Sequence, residues 1–422
     1  MTAMLYERWQ EVAQTHAHKL ALSESWSGRS WTFTELAAAV KELPTSQDAV
    51  CFPSGRAHTF ILDVLRAWRD GKICCPLEET QPSPTIPDLP ASCMHLKLTS
   101  GSTGQPRLIA FTGAQLAADA RNIVSTMGLK PEWPNLGVIS LAHSYGFSNL
   151  ILPLLLHGIP LLLVDAPLPA MVLAAARKAE HLTIAAVPAL WRTWHEANSI
   201  PTNVRLAISA GAPLPIALET DVFAQNGVKI HNFYGSSECG GIAYDRNSTP
   251  RINASVAGSA MDNVQLSVNS ESLEVRGEAV GLGYFPEESA RLSEGRFATS
   301  DLVEIRNGEV HLLGRASDVI NVAGRKISPE AIEQALANHP AVNCCVVFGV
   351  PSEDVSRGEN IIAMVRLNGE ASVETLRQHL LIRLAAWQLP REWMFTEELT
   401  PNVRGKMPRT EWRKRWLEQK TP

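Results

Sequence analysis

The sequence predicts an α/β protein. It should comprise a large N-terminal domain with doubly wound sheets, a small β-barrel-like subdomain, and a small α+β domain at the C-terminal end. Three observations carry this expectation. From Gly137 onward, apolar strands alternate with amphipathic helices, the pattern of parallel strands buried on both faces. After Gly241 the pattern changes to short strands punctuated by glycine. Beyond Gly314 lies a mixed module of roughly a hundred residues, an ordinary domain size.

Taken in order, residues 4–14 and 33–43 carry helical periodicity, the second with Thr34 as its expected N-cap and Leu36, Val40 and Leu43 on one face. A helix reading ILDVLRAWRD stops at Gly71 and gives way to the apolar strand ICCPL, a first α/β unit. Residues 79–92, rich in Pro, Thr and Ser, form an irregular connection to the strand MHLKLTS. The regular series then runs strand 138–142, helix 147–157, strand LLLV, helix 169–180, strand TIAAV, helix 189–197, strand RLAIS, helix 214–226 and strand VKIHNF.

Ligands of such sheets sit outside the carboxyl ends of the strands. The strand-end segments 98–107, His143, 209–213 and 234–238 are therefore expected to line one crevice. The β subdomain follows as VQLSV, SLEVRG and LVEIRNGEVHLLG, with a tight turn at Asn307-Gly308. In the last module Ser328-Pro329 opens a helix bearing Ile332 and Leu336 on one face. Strands NCCVVFGV and IIAMVRL and a helix over 373–386 complete it. The boundary falls at residues 314–318, dividing the chain into 1–314 and 315–422.

Composition narrows the functional classes. With 422 residues, two or three domains are expected. A net charge of −5 and the lack of a Lys/Arg stripe argue against a nucleic-acid partner. The start MTAMLYERWQEV lacks the apolar core of a signal peptide, and the longest apolar run, residues 150–164, is broken by Pro153, His157, Gly158 and Pro160. The expectation is a cytoplasmic protein with no membrane insertion. Seven cysteines without C-x-x-C or Cys/His spacing read as small core residues in a reducing compartment, implying neither disulfides nor zinc.

The stretch LTSGSTGQPR, residues 98–107, is the densest chemical signal. Thr99, Ser100, Ser102 and Thr103 supply hydroxyls, Gly101 and Gly104 let the backbone approach an anion, and Arg107 adds charge. Such a loop suits a polyphosphate, although Ser/Thr/Gly clusters also make plain surface loops. The Walker spacing G-x-x-x-x-G-K-[ST] is absent.

This loop, a Tyr-Gly-Ser-Ser-Glu turn at 234–238, Asp301 before the boundary, Arg315 just after it and Lys406 in PNVRGKMPR form an ordered series. In that series the chain resembles the adenylate-forming superfamily, which includes acyl- and aryl-CoA synthetases, peptide-synthetase adenylation domains and beetle luciferases. The resemblance implies binding of ATP by Thr99, Ser100, Gly101, Ser102, Thr103, Gly104 and Arg107, the last standing where the family usually has lysine. It further implies that Gly211, Ala212 and Pro213 flank adenine, that Tyr234 packs on it beside Gly235, and that Ser237 donates to phosphate. Glu238 would hold Mg²⁺, Asp301 would accept the ribose hydroxyls, and Arg315 would lie near ribose and phosphate. Lys406 would be the catalytic lysine and His143 would stand between the ATP and carboxylate sites. The pivot of the family's linker, usually Asp or Lys, is Ser317 here.

The chemistry that the resemblance implies has two steps. A carboxylate attacks the α-phosphorus of ATP, giving an acyl or aryl adenylate and pyrophosphate. A mobile C-terminal domain then rotates, and CoA or a carrier-protein phosphopantetheine takes the acyl group. The segment GVPSEDVSRGE, 349–359, resembles a stretch found near the pantetheine tunnel of CoA synthetases and also in carrier-loading relatives, so both acceptors stay open. The acid pocket is expected to include His143, Phe147, Ser148, Ser209, His231, Asn232, Phe233, Cys239 and Gly240. Relatives that activate α-amino acids carry an Asp just after the His143 motif, and no carboxylate lies between Leu141 and Ile151. An aryl or fatty acid fits, with polar pocket residues tilting toward aryl or hydroxylated acids. The competing class is a non-catalytic relative that binds a nucleotide or acyl group as a sensor or scaffold.

Overall fold

The computed structural model describes residues 4–99, 107–269, 271–354, 357–400 and 407–420. Among these, the largest sheet has fourteen strands. Its parallel part is built as expected from buried apolar runs. Val204–Ser209 lies between Leu182–Ala186 and Ile230–Ser236, and Asn135–Gly137 lies between Leu182–Ala186 and Leu161–Leu163. The hairpin of Ile230–Ser236 with Gly240–Tyr244 then turns the sheet antiparallel. The strands of the β subdomain continue from this hairpin through Val256–Ala260, which pairs with Glu309–Arg315. At the expected tight turn Asn307 and Gly308 both have positive φ, 51° and 80°, the geometry that the right-handed twist of a two-residue hairpin demands.

A second sheet of five strands takes in the first α/β unit. It runs Gly283–Phe285, Leu108–Phe111, His95–Leu98, Ile73–Cys74, Val50–Cys51. The residues on either side of the phosphate-loop candidate thus end one strand and begin the next, in an antiparallel pair.

Three local expectations are corrected. The N-cap of the helix Phe33–Glu42 is Thr32, which forms a capping box with Glu35, so the helix starts two residues earlier than a cap at Thr34 would set it. The strand expected over 138–142 is instead Asn135–Gly137. Beyond it the Ser140 hydroxyl accepts the N–H groups of Ala142 and His143, drawing the backbone out of the ladder. The helix expected over 147–157 is also interrupted, with a π-helical turn over Phe147–Ile151 before the α-helix Leu152–His157.

In the last module a three-stranded sheet of Val342–Pro351, Glu359–Leu367 and Glu392–Phe395 has helices Pro329–Ala337 and Val373–Leu381 against one core. The helix Arg409–Lys420 covers a second core through Trp412 and Trp416. Arg409 joins Glu330, Glu333 and Asp318, tying this helix to the boundary segment. Arg192 of the large domain donates to the backbone carbonyl of Asn343.

Behind the strand Ile230–Ser236 sits a buried four-charge network. Lys229 donates to Glu219 and, at 2.6 Å, to Asp245, while Arg251 donates through Nε to Glu219 at 2.9 Å. The Glu219 and Asp245 side chains are fully buried, so the two cations and two anions neutralise one another away from water. All seven cysteines are free, five of them buried and Cys344 and Cys345 half-buried. Among the described residues no helix is long and apolar enough to cross a membrane.

Candidate functional site

A cleft of about 1250 Å³ opens where the carboxyl ends of the parallel strands face the second sheet. A single drug-sized ligand fills about 300–1000 Å³, so the cleft has room for two ligands side by side.

On one wall, Asp301 and Arg315 are register partners on adjacent antiparallel strands. The pairing sets Arg315 Nε 3.1 Å from Asp301 Oδ1, while Tyr234 Oη donates to Asp301 Oδ2 at 2.5 Å. Burial, reinforced by the Asp301 carboxylate, pushes the Tyr234 phenol well above its ordinary pKa. Against burial, the same carboxylate holds the Arg315 guanidinium above its usual value. Tyr234 is thus a neutral donor and Asp301 an anchored acceptor.

Next along this wall, Glu238 accepts from Tyr284 Oη at 2.9 Å. The Arg107 guanidinium lies 4.1 Å from the centre of the Tyr284 ring and donates to the Glu287 carbonyl. A planar guanidinium stacks on an aromatic face as an ammonium does not, which gives the arginine at this position a physical role. Thr99 and Arg107 close the neck of the loop, with Thr99 N donating to the Arg107 carbonyl at 2.9 Å. Ser100, Gly101, Ser102, Thr103 and Gly104 lie outside the described residues, as does Lys406. No cluster of three or more His, Cys, Asp or Glu able to hold a metal occurs among the described residues. A lone carboxylate such as Glu238 fits Mg²⁺, whose remaining ligands are usually phosphate oxygens and water.

His143 stands at the mouth of the opposite wall. Its ring Nδ1 accepts the Tyr145 N–H at 3.3 Å, capping a short helical turn. The approach to His143 is braced by Glu78, which accepts from Ser140 Oγ at 2.8 Å. A Cβ on Gly146 would lie 1.8 Å from the Ser140 carbonyl oxygen, so this fold of the loop requires glycine there. Ser144 Oγ donates to Ser237 Oγ at 2.9 Å, linking this wall to the Tyr-Gly-Ser-Ser-Glu turn.

Of the residues expected around an acid, His143, Ser148, Phe233 and Gly240 line the cleft, together with Gly211 and Gly235 near the nucleotide-side wall. Others face elsewhere. Phe147 is buried in the core, its ring centre 4.5 Å from that of His95. Ser209 is fully buried before its strand reaches the cleft. His231 lies a pleat behind Phe233, stacked on Tyr244 with Nδ1 2.8 Å from the Asp245 carbonyl. Asn232, on the opposite face, donates to the Val256 carbonyl. Cys239 is buried with Sγ 3.2 Å from Ser236 Oγ. Ala212 and Pro213 fall outside the cleft lining, since the chain turns away after Gly211, whose φ is +86°.

Sequence reasoning missed Glu78, Tyr284, Lys97 and Asp119. The last two come from different elements and form a buried pair behind Ser148, with Lys97 Nζ 3.9 Å from Asp119 Oδ2. The sequence carried a signal for Lys97: a charged residue inside the apolar strand preceding the loop. Asp119, in the helix Gly113–Met127, carried none.

Residues 48–285 match the family model of the AMP-binding enzyme, and 331–406 match that of the AMP-binding enzyme C-terminal domain. A feruloyl-CoA synthase of Amycolatopsis is 28% identical over 362 residues, 78% of this chain and 72% of that protein. A 2-succinylbenzoate–CoA ligase of Bacillus cereus is 26% identical over 339 residues, 76% and 69% of the two chains. The crystal structure of ATP-bound MatB from Rhodopseudomonas palustris shares the fold at TM-score 0.86 and 20% identity, covering 99% of each chain.

Proposed function

Since this chain belongs to the AMP-binding enzyme family and so carries out ATP-dependent acid activation with thioester formation, we propose that it is an AMP-forming ligase acting on a small aryl acid. CoA is the proposed acceptor. The observation that carries the assignment of the site is the convergence of Tyr234, Asp301, Arg315 and Glu238 on one wall, facing His143 across the cleft.

In this reading Asp301 accepts the ribose hydroxyls, held in place by Arg315 and Tyr234, and Arg107 with the 99–107 loop draws the phosphates to the cleft. Glu238 would hold Mg²⁺, which would neutralise phosphate charge as the α-phosphorus is attacked. The carboxylate lies between His143 and Ser237, whose linked loops hold it in line, and excludes water from that position. Lys406 supplies positive charge where negative charge concentrates in the transition state. Segments 1–314 and 315–422 act as the two units whose rearrangement withdraws Lys406 and admits the thiol. The names of the feruloyl-CoA and 2-succinylbenzoate–CoA relatives support an aryl acid and CoA. A carrier-protein thiol is the competing acceptor, and a cytoplasmic location is consistent with seven free thiols.

The test is carboxylate-dependent exchange of labelled pyrophosphate into ATP across aryl and aliphatic acids, followed by thioester formation with CoA or with a loaded carrier protein. Exchange with an aryl acid is expected, and Lys406→Ala should lower it on the order of 10²- to 10³-fold while ATP still binds. Wild-type ATP binding without exchange for any acid would overturn the reading. Full exchange in the Lys406→Ala variant would remove that residue from the chemistry.

A further inference from the structure

Resting on the ligase reading, we propose that Lys97 is the specificity determinant of the acid pocket. Its buried nitrogen takes an oxygen acceptor, a carboxylate or hydroxyl, at the end of the substrate remote from the reacting carboxylate.

The Lys97 side chain is 4% exposed. Among the described residues its ammonium makes one hydrogen bond, to Ser148 Oγ at a long 3.5 Å, while Asp119 is 3.9 Å away and the Phe111 ring centre 4.6 Å. An ammonium carries three donors, and a buried donor without an acceptor is costly. Asp119 is better served. Its Oδ2 accepts from Ser148 Oγ at 2.6 Å and its Oδ1 from Gly241 N at 3.4 Å. Both oxygens of the anion are occupied while the cation keeps N–H groups to spare, so the pair calls for an acceptor from the ligand and offers little to an amine. Burial pulls the Lys97 pKa below the ordinary lysine value, against the opposing effect of Asp119. Protonated or neutral, the nitrogen keeps N–H donors.

The pair lies behind residues that line the cleft. Ser148 and Gly241 line the cleft wall, and Lys97 borders a small side chamber that shares Leu98, Thr99 and His143 with it. The backbone is fitted to the pair, because a Cβ on Gly240 would lie 2.0 Å from Asp119 Oδ1. Ser148 follows His143 by five residues of helical chain, a rise of about 7 Å. An acid whose reacting carboxylate lies at His143 therefore reaches Lys97 with a substituent roughly that far away, as at the para position of a benzoate or the far end of a six-carbon diacid.

The experiment measures equilibrium binding by calorimetry, with AMP present, of benzoate against 4-hydroxybenzoate and 4-aminobenzoate, and of hexanoate against adipate. The proteins are the wild type, Lys97→Met, and Lys97→Met combined with Asp119→Asn, which avoids leaving a buried anion alone. Wild type should favour 4-hydroxybenzoate or adipate over its unsubstituted partner by about tenfold or more, with no such gain for the amine. In both variants the ratio should fall to about one. Absence of that preference in wild type, absence of binding by any of the acids, or its persistence in the variants would leave Lys97 as the counter-ion of Asp119 and overturn the proposal. Pyrophosphate exchange on the same acids reports separately: a binding preference without exchange would sink the ligase reading and leave the subsite standing.

Discussion

Glu219→Ala is expected to destabilise the large domain by about 3–5 kcal/mol, because it leaves Lys229 and Arg251 as buried cations with one anion between them. Glu219 is fully buried and engages both partners, and it also accepts the Arg251 backbone N–H at 2.9 Å. Its loss removes three hydrogen bonds from a fully buried site. Against a total stability of about 5–15 kcal/mol this is a large fraction. The measurement is the denaturant midpoint, with the melting temperature expected to fall by roughly 10 °C. Since the network lies behind Phe233 and Tyr234, ATP affinity in the surviving folded fraction should be weakened as well. A midpoint shift worth less than about 1 kcal/mol would show that the network is solvated in the native state.

Asp301→Ala should act on function with little effect on folding. The carboxylate is the common acceptor for Tyr234 and Arg315, and it is the group proposed to take the two ribose hydroxyls. Losing charged hydrogen bonds of about 1.5–3 kcal/mol each, partly offset by water entering the cleft, should lower kcat/KM for ATP on the order of a hundredfold. The loss should fall on KM more than on kcat, because ribose contacts are made in the ground state and the transition state alike. A 2′-deoxy nucleotide should discriminate strongly in the wild type and weakly in the variant. If the two proteins distinguish the nucleotides equally, Asp301 does not touch the ribose.

The order of strands and helices was legible because buried parallel strands leave continuous apolar runs, as in Leu182–Ala186 and Val204–Ser209. The His143 segment was not. There a serine hydroxyl captures two backbone N–H groups and a π-helical turn shifts the register, and neither leaves a periodic trace. For the same reason Phe147 turned inward while Ser148 reached the cleft. His231 and Asn232 are expected in the pocket, but of their strand only the residues from Phe233 onward line the cleft. Lys97 and Asp119 belong to elements twenty-odd residues apart, and their meeting depends on how the helix Gly113–Met127 packs against Gly240–Tyr244 and the turn Phe147–Ile151. Single-sequence patterns record local periodicity, and the pairing of distant charges is set by tertiary packing.

The native thiols bear on how the proposed rearrangement of the two segments could be watched. Burial raises the pKa of Cys74, Cys75, Cys93, Cys239, Cys344 and Cys345, that of Cys75 to about 12, so at neutral pH these sulfurs stay protonated and react slowly. Glu196 and Glu370 are exposed and belong to the two different segments of the chain. Glu196→Cys and Glu370→Cys together would therefore carry a maleimide dye pair on an otherwise native background, and a change in energy transfer between the dyes during turnover would test the proposed rearrangement of the two segments.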